Sequence, residues 1–173
     1  MLLLQMTGLS GAGKTTIASK VKEQLQKLGY NVELLDGDTV RKNISKGLGF
    51  SKEDRCENIR RIGFVADLLT RNNIIVIIAV INPYEEIRQE LKRNYAAKTV
   101  WIKCELEILK QRDTKGLYIR AFLPENHPEK INNLSGVNDI FETPKNAGLI
   151  VDTGIESIEQ SVEKVLNYIL ETV

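Results

Sequence analysis

Gly8-Leu9-Ser10-Gly11-Ala12-Gly13-Lys14-Thr15 is the stretch whose reading decides the fold. An apolar run, Met1-Leu2-Leu3-Leu4-Gln5-Met6, precedes it. Thr16-Ile17-Ala18-Ser19-Lys20-Val21 follows, with Leu25 and Leu28 continuing a helical spacing. This is G-x-x-x-x-G-K-[ST] set between a strand and a helix, the context a phosphate loop requires. Gly8, Gly11 and Gly13 let the chain turn tightly, so that backbone amides can surround a phosphate. The unpaired amides at the start of the next helix face the same point. Lys14 adds a mobile positive charge for the β- and γ-phosphates, and the Thr15 hydroxyl is a ligand for Mg²⁺. A bare glycine turn opening a helix would need neither the lysine nor the threonine. The stretch therefore implies a nucleoside triphosphate donor with Mg²⁺, and leaves the acceptor open.

Outward from the loop, the chain reads as strands alternating with helices. Leu2 to Thr7 is a first strand buried on both faces, and Lys14 to Leu28 a helix capped by Gly29. Val32 to Leu35 is a second strand, and Thr39 to Ser45 a short helix. Ser51 caps a long helix carrying Ile59, Ile62, Val65, Ala66 and Leu69 at helical spacing. The β-branched run Ile74 to Ile81 predicts a central strand stopped by Asn82-Pro83. Tyr84 to Arg93, Leu106 to Arg112 and Ser157 to Leu170 read as helices, and Thr99 to Lys103 and Leu149 to Val151 as strands. Between them, Asp113 to Lys145 is polar, shows no sustained period and holds three of the four prolines. The pattern predicts an α/β, three-layer P-loop NTPase fold: a central parallel sheet, helices on both faces and a mobile lid at 113–145, all in a single domain over 1–173. Ligands on such sheets gather at the carboxyl ends of the strands. The phosphate loop, Asp36-Gly37-Asp38, Asn82 and Thr153 all fall there.

Bulk properties narrow the function classes. The 173 residues are 42% hydrophobic and 27% charged, with a net charge of +1. That balance argues against a general nucleic-acid or anionic-membrane surface. No apolar run approaches the roughly 20 residues of a membrane span, and no secretory leader is visible. Cys56 and Cys104 lie far apart in no metal pattern and read as reduced thiols of a cytoplasmic protein.

Asp36-Gly37-Asp38 closes the second strand. Beside a phosphate loop, one of these carboxylates can hold metal-bound water, while the other orients or accepts the proton of an attacking hydroxyl. Standing alone, the same tripeptide would be a strand-ending turn with a helix cap. Arg41 and Arg55 are placed for two-pronged contacts with phosphate or sulfate oxygens; Arg60 reads as solvated. Asp113-Thr114-Lys115-Gly116 matches D-x-x-G of GTP-driven switches. It does not directly follow an apolar strand, however, and no N-K-x-D guanine-reading motif is present. It reads as a lid hinge, with Arg112 and Lys115 over the nucleotides. The lone His127 reads as an exposed lid residue.

These stretches together resemble the adenylylsulfate kinase (APS kinase) family. The resemblance is carried by Gly8 to Thr16, Asp36-Gly37-Asp38 with Arg41, Gly47-Leu48-Gly49-Phe50-Ser51, and Asp54-Arg55 with Glu57-Asn58-Ile59-Arg60-Arg61. It continues through Ile81-Asn82-Pro83 and Arg112-Asp113-Thr114-Lys115-Gly116-Leu117-Tyr118. It implies that ATP phosphorylates the 3′-hydroxyl of a nucleotide bearing a mixed 5′ anhydride, adenylyl sulfate in the family. By resemblance, Asp38 sits by Mg²⁺ and the attacking hydroxyl, with Asp36 in support. Arg41, Arg55 and Asn58 hold the acceptor's anionic tail and sugar, and Phe50 stacks on its base. Ile81, Asn82, Leu134 and Ser135 complete the acceptor side. Arg112 lies on the ATP adenine, Lys115 bridges the phosphates, and Thr16 and Thr153 belong to the donor side. A homodimer is also implied.

Two departures matter. Asn82-Pro83 stands where the family usually has Ser-Pro. The lid, Ile119 to Asn133, is longer, carries Pro124 and Pro128, and ends Leu134-Ser135-Gly136-Val137-Asn138. Leu134 replaces a phenylalanine that in the family forms the second plate around the acceptor base. Base stacking is worth ~1–3 kcal/mol, so its loss relaxes purine selection. The same 3′-phosphorylation of cytidine 5′-diphosphoramidate, as in capsule chemistry, is thus an alternative to adenylyl sulfate. A nucleotide-dependent switch and a generic nucleoside-monophosphate kinase are further alternatives, disfavoured by the missing guanine-reading residues and by the Asp36-Gly37-Asp38 pair respectively.

Overall fold

The computed structural model describes residues 1–173. Five parallel strands form one sheet in the order β2-β3-β1-β4-β5: β1 (Leu3–Thr7), β2 (Val32–Asp36), β3 (Ile75–Ala79), β4 (Lys98–Lys103) and β5 (Leu149–Asp152). Seven helices accompany them: α1 (Lys14–Lys27), α2 (Gly37–Asn43), α3 (Lys52–Thr70), α4 (Glu85–Tyr95), α5 (Leu106–Arg112), α6 (Leu117–Ala121) and α7 (Ile158–Leu170). None is long and apolar enough to cross a membrane.

The two-residue period of β1 divides the core. Leu4 and Met6 face a cluster with Ile17, Val21 and Leu25 of α1 and Val162, Val165 and Ile169 of α7. Leu3 faces the opposite cluster, with Ile59 and Ile62 of α3 and Ile87 and Leu91 of α4. Strands buried on both faces must be apolar on both, which is why β1 and β3 read as continuous apolar runs. Gln5 and Thr7 break that rule inside β1: both are fully buried.

Several boundaries move from the predicted ones for identifiable reasons. α2 starts at Gly37 rather than Thr39, because Asp36 caps it, its Oδ1 accepting from the Asp38 and Thr39 amides at 3.1 and 3.4 Å. β3 stops at Ala79, short of Ile81, because Val80 to Pro83 already turn toward α4, with Asn82 at φ 45°. Tyr84 and Ser157 are caps and not first turns. The C-cap of α1 is Leu28, with Gly29 at φ 88° just beyond it. The expected aperiodic lid contains a helix, α6. It is anchored by Asp113, which accepts from the Tyr118 and Ile119 amides, and by the buried Tyr118, whose hydroxyl donates to the Ser10 carbonyl at 2.8 Å. Five residues are too few for a periodic signal to rise above noise.

β1 lies between β3 and β4, so its carboxyl end opens at the point where the strand order reverses. Gly8 makes that opening possible. Its amide donates to the Ile81 carbonyl at 3.2 Å, and a Cβ there would lie 2.3 Å from the Ile102 carbonyl oxygen. Backbone on both sides leaves no flexible atom to yield. Gly8→Ala is therefore expected to destabilise the fold by about 1–3 kcal/mol, read as a lower urea midpoint at unchanged slope. A midpoint equal to the parent's contradicts the packing described.

Candidate active site

The loop from Gly8 to Gly13 joins β1 to α1, with Gly8, Gly11 and Gly13 all at positive φ. A cavity of about 660 Å³ opens beside it. One wall is the phosphate loop: Ser10, Gly11, Gly13, Lys14, Thr15 and Thr16. The floor is Asp36, Gly37 and Asp38. The far wall holds Arg41, Phe50, Arg55, Asn58, Ile81, Asn82, Leu134 and Ser135, and Lys115 reaches in from the lid. Most of the residues singled out in the sequence thus line one space.

The phosphate wall is internally satisfied. Lys14 Nζ donates to the Gly8 and Leu9 carbonyls at 2.9 and 2.7 Å. Burial, helped by the nearby Lys115 charge, pushes the Lys14 ammonium down to about 7, against the pull of Asp36 and Asp38. Thr15 Oγ1 donates to Asp36 Oδ2 at 2.7 Å. Asp36 therefore has two jobs, capping α2 with one oxygen and holding the Thr15 hydroxyl with the other. The cap reading of Asp36-Gly37-Asp38 is realised, and the same tripeptide stands at the cavity beside the phosphate loop.

Asp38 is exposed at the cavity, and Lys115 Nζ donates to its Oδ2 at 2.6 Å. This hydrogen bond is the first cause holding the Asp38 carboxyl below the usual carboxylate range. Thr15, Asp36 and Asp38 are all oxygen donors at the mouth of the phosphate loop. That donor set suits a hard cation such as Mg²⁺. No cluster of three or more acidic, histidine or cysteine side chains stands ready to hold a metal. The protein thus offers a partial shell, the kind Mg²⁺ completes with phosphate oxygens and water.

On the far wall, Phe50 is half exposed and faces two guanidiniums, Arg41 at 4.5 Å and Arg55 at 5.4 Å from the ring centroid. Arg41 donates to the Gly49 carbonyl at 3.0 Å. Arg55 is buried, donating to the Phe50 and Asn133 carbonyls at 2.9 and 2.6 Å and pairing with Asp139 at 3.1 Å. Arg55 thereby ties the lid's end to α3. Leu134 is buried in the core cluster under α1 while still lining the cavity. Three buried polar atoms have no partner anywhere in the protein apart from Ser45 Oγ: Asn58 Oδ1, Asn82 Oδ1 and Ser135 Oγ. All three belong to cavity-lining residues, where a bound polar group could supply the missing partner.

Five expected site residues stand outside the cavity lining: Gly8, Leu9, Ala12, Arg112 and Thr153. Gly8, Leu9 and Ala12 form the back of the loop. Their carbonyls hold Lys14 and, through Ala12, the Thr153 hydroxyl at 2.9 Å. Arg112 donates to the Thr153 carbonyl at 2.7 Å, so these two make a separate shelf behind the loop. Arg60, as expected, faces solvent and pairs with Glu90. Gln5 was missed. It sits behind Asn82, and its signal was a lone amide inside an apolar strand.

A family model described as adenylylsulphate kinase matches residues 1–152. The adenylyl-sulfate kinase of Picosynechococcus sp. is 48% identical over 166 residues, covering 95% of this chain and 91% of that one. Among solved structures, the Mycobacterium tuberculosis APS kinase in complex with AMPPNP and APS superposes with a TM-score of 0.89 at 31% identity, covering 98% and 97%. A hexameric APS kinase from Thiobacillus denitrificans gives 0.72 at 30%, matching 99% of this chain and 29% of that one.

The depressed Lys14 makes a pH prediction. The free protein loses the Lys14 charge as pH rises through about 7, and phosphates bound beside Nζ would restore it. ATP binding should then take up on the order of one proton at about pH 8.5 and weaken as pH rises above 7. Calorimetry in buffers of different ionisation enthalpy measures this. Proton-neutral binding at that pH contradicts the assignment.

Proposed function

The chain belongs to the adenylylsulfate kinase family, and from that premise we propose that it transfers the γ-phosphoryl group of ATP to the 3′-hydroxyl of adenylyl sulfate, giving ADP and 3′-phosphoadenylyl sulfate. The observation that carries this reading is the single cavity joining the phosphate loop to the Arg41–Phe50–Arg55 wall, with Asp38 between them. In this reading the phosphates of the donor and the acceptor meet in that one space.

The proposed roles join the geometry to what the family resemblance implies. Backbone amides of Gly11 to Thr15 hold the ATP phosphates, and Lys14 leaves the Gly8 and Leu9 carbonyls to pair with them. Arg112 and Thr153 form a shelf for the adenine of ATP. Thr15 and Asp38, supported by Asp36, hold Mg²⁺, which supplies charge neutralisation at the transferring phosphoryl group. On the acceptor side, Arg41 and Arg55 meet the anionic 5′ tail, Asn58 the sugar, and Phe50 the base. Ile81, Asn82, Leu134 and Ser135 close the pocket around it.

Lys115 turns from Asp38 to the phosphates, which frees the Asp38 carboxylate for the 3′-hydroxyl. The hydroxyl oxygen then bonds to the γ-phosphorus as the bond to the ADP oxygen breaks, and its proton passes to Asp38. A cytoplasmic enzyme drawing on the ATP pool fits this chemistry. A homodimer is part of the proposal. Phe64 and Leu68, one turn apart on α3 and both exposed, offer an apolar face for it.

Cytidine 5′-diphosphoramidate, the alternative acceptor, has no counterpart in the names of these relatives and enters the assay as the competing compound. With adenylyl sulfate, ADP formation is expected in the ~1–100 s⁻¹ range of kinases, well above the rate with water. Asp38→Asn should lower kcat by about 10²–10⁴-fold while ATP still binds. Turnover confined to the cytidine compound rejects adenylyl sulfate. Turnover with no nucleotide rejects the kinase reading, and near-parental turnover by Asp38→Asn removes Asp38 from the mechanism.

A further inference from the structure

Gln5 stands in the middle of β1, fully buried among apolar strands. Its Nε2 donates to the Arg88 carbonyl and to Thr99 Oγ1, both at 3.0 Å. A backbone carbonyl can only accept, so the Gln5 nitrogen must face it and Oε1 must face the other way. Asn82 Nδ2 donates to that Oε1 at 3.0 Å. By the same exclusion, an Asn82 amide turned the other way would set oxygen against oxygen. Its Oδ1 is therefore directed away from Gln5, and it is buried with no partner.

The backbone around Asn82 is equally fixed. Its carbonyl accepts from Thr7 Oγ1 at 3.0 Å and Arg88 Nη1 at 2.7 Å. Its φ of 45° lies in the left-handed region that asparagine tolerates better than most residues. Asn82 lines the cavity. A strand residue thus determines which polar atom of Asn82 is left without a partner.

We propose that Gln5 is a positioning residue that locks the Asn82 carboxamide so that its Oδ1 takes a hydrogen bond from an N–H or O–H donor of the acceptor nucleotide. This rests on the kinase reading above. Phosphate and sulfate oxygens are acceptors at neutral pH and gain nothing from Oδ1. With the 3′-hydroxyl directed to Asp38, the donors left on such a nucleotide are the exocyclic amino group of the base and the ribose 2′-hydroxyl. Asn82 therefore reads the nucleoside and leaves the anionic tail to the arginines. A site built to bond such a group rejects the analogue lacking it, because its own buried oxygen is then left unpaired.

The test compares kcat/KM for adenylyl sulfate, its hypoxanthine analogue and its 2′-deoxy analogue, using the parent protein, Gln5→Met, Gln5→Glu and Asn82→Ala. For the parent, the analogue missing the bonded donor should fall by about tenfold or more, which also identifies base or ribose as the partner. Gln5→Met keeps the side-chain shape without its polar ends. In it and in Asn82→Ala, that discrimination should shrink to about twofold or less, with the loss on adenylyl sulfate appearing in KM. Gln5→Glu, whose protonated carboxyl still donates to Arg88 and accepts from Asn82, should retain it. Should Gln5→Met fail to fold, the other two variants decide. A parent indifferent to both analogues, or variants slowed equally on all three acceptors, overturns the inference while leaving the kinase reading intact. A parent inactive on every nucleotide removes both.

Discussion

Everything in this protein depends on how β1 hands the chain to α1. The strand must end at Thr7 and the helix begin at Lys14, with the loop amides between them turned to one point. That demand sets β1 in the middle of the sheet, where β3 and β4 brace it on either side. It requires Gly8 to pass within contact of the Ile102 carbonyl. It also decides where α6 goes, because the Tyr118 hydroxyl closes on the Ser10 carbonyl. Even the end of the lid is fitted to the loop: a Cβ on Gly136 would lie 2.6 Å from a Leu9 methyl.

Around that loop the polar and charged groups find partners within the protein that a substrate would replace. Lys14 rests on two carbonyls, Thr15 on Asp36, and Lys115 on Asp38. Each contact keeps a polar group satisfied, so the site does not carry naked charges in a partly dry cavity. Each also has an acceptor or donor type that a phosphate or a hydroxyl can take over. The Lys115–Asp38 pair is exposed and its net contribution to stability is small. Exchanging it for phosphate contacts costs the fold little. Arg55 behaves differently. Buried and bound to Phe50, Asn133 and Asp139, it is a structural strut in the wall of the cavity.

The sheet, its parallel order and the donor half of the site were legible because their signals are local. The glycines, Lys14 and Thr15 sit in one octapeptide, and Ile75 to Ala79 is β-branched or small throughout. On the far wall, Arg41, Arg55 and Asn82 were legible from residue type and position, whereas Phe50 and Asn58 came only through family resemblance, since the wall is assembled from α2, α3, the segment between them and the turn after β3. No spacing rule links them. α6 was invisible because tertiary anchors, not periodicity, hold its five residues. The second duty of Asp36 needed its distance to Thr15. Gln5 was hidden by the apolar run around it, which made the strand easy to see and an amide in its middle easy to pass over.

The central claim is that one cavity aligns an ATP phosphoryl group with the 3′-hydroxyl of a nucleotide held by Arg41, Phe50 and Arg55. Identifying the product by ³¹P NMR, after complete reaction of limiting adenylyl sulfate with excess ATP and Mg²⁺, tests it most directly. The expected result is one new phosphomonoester on the ribose 3′ oxygen, formed in equal amount with ADP, and an intact phosphosulfate anhydride. A phosphate at another position, or ADP accompanied only by inorganic phosphate, would contradict it.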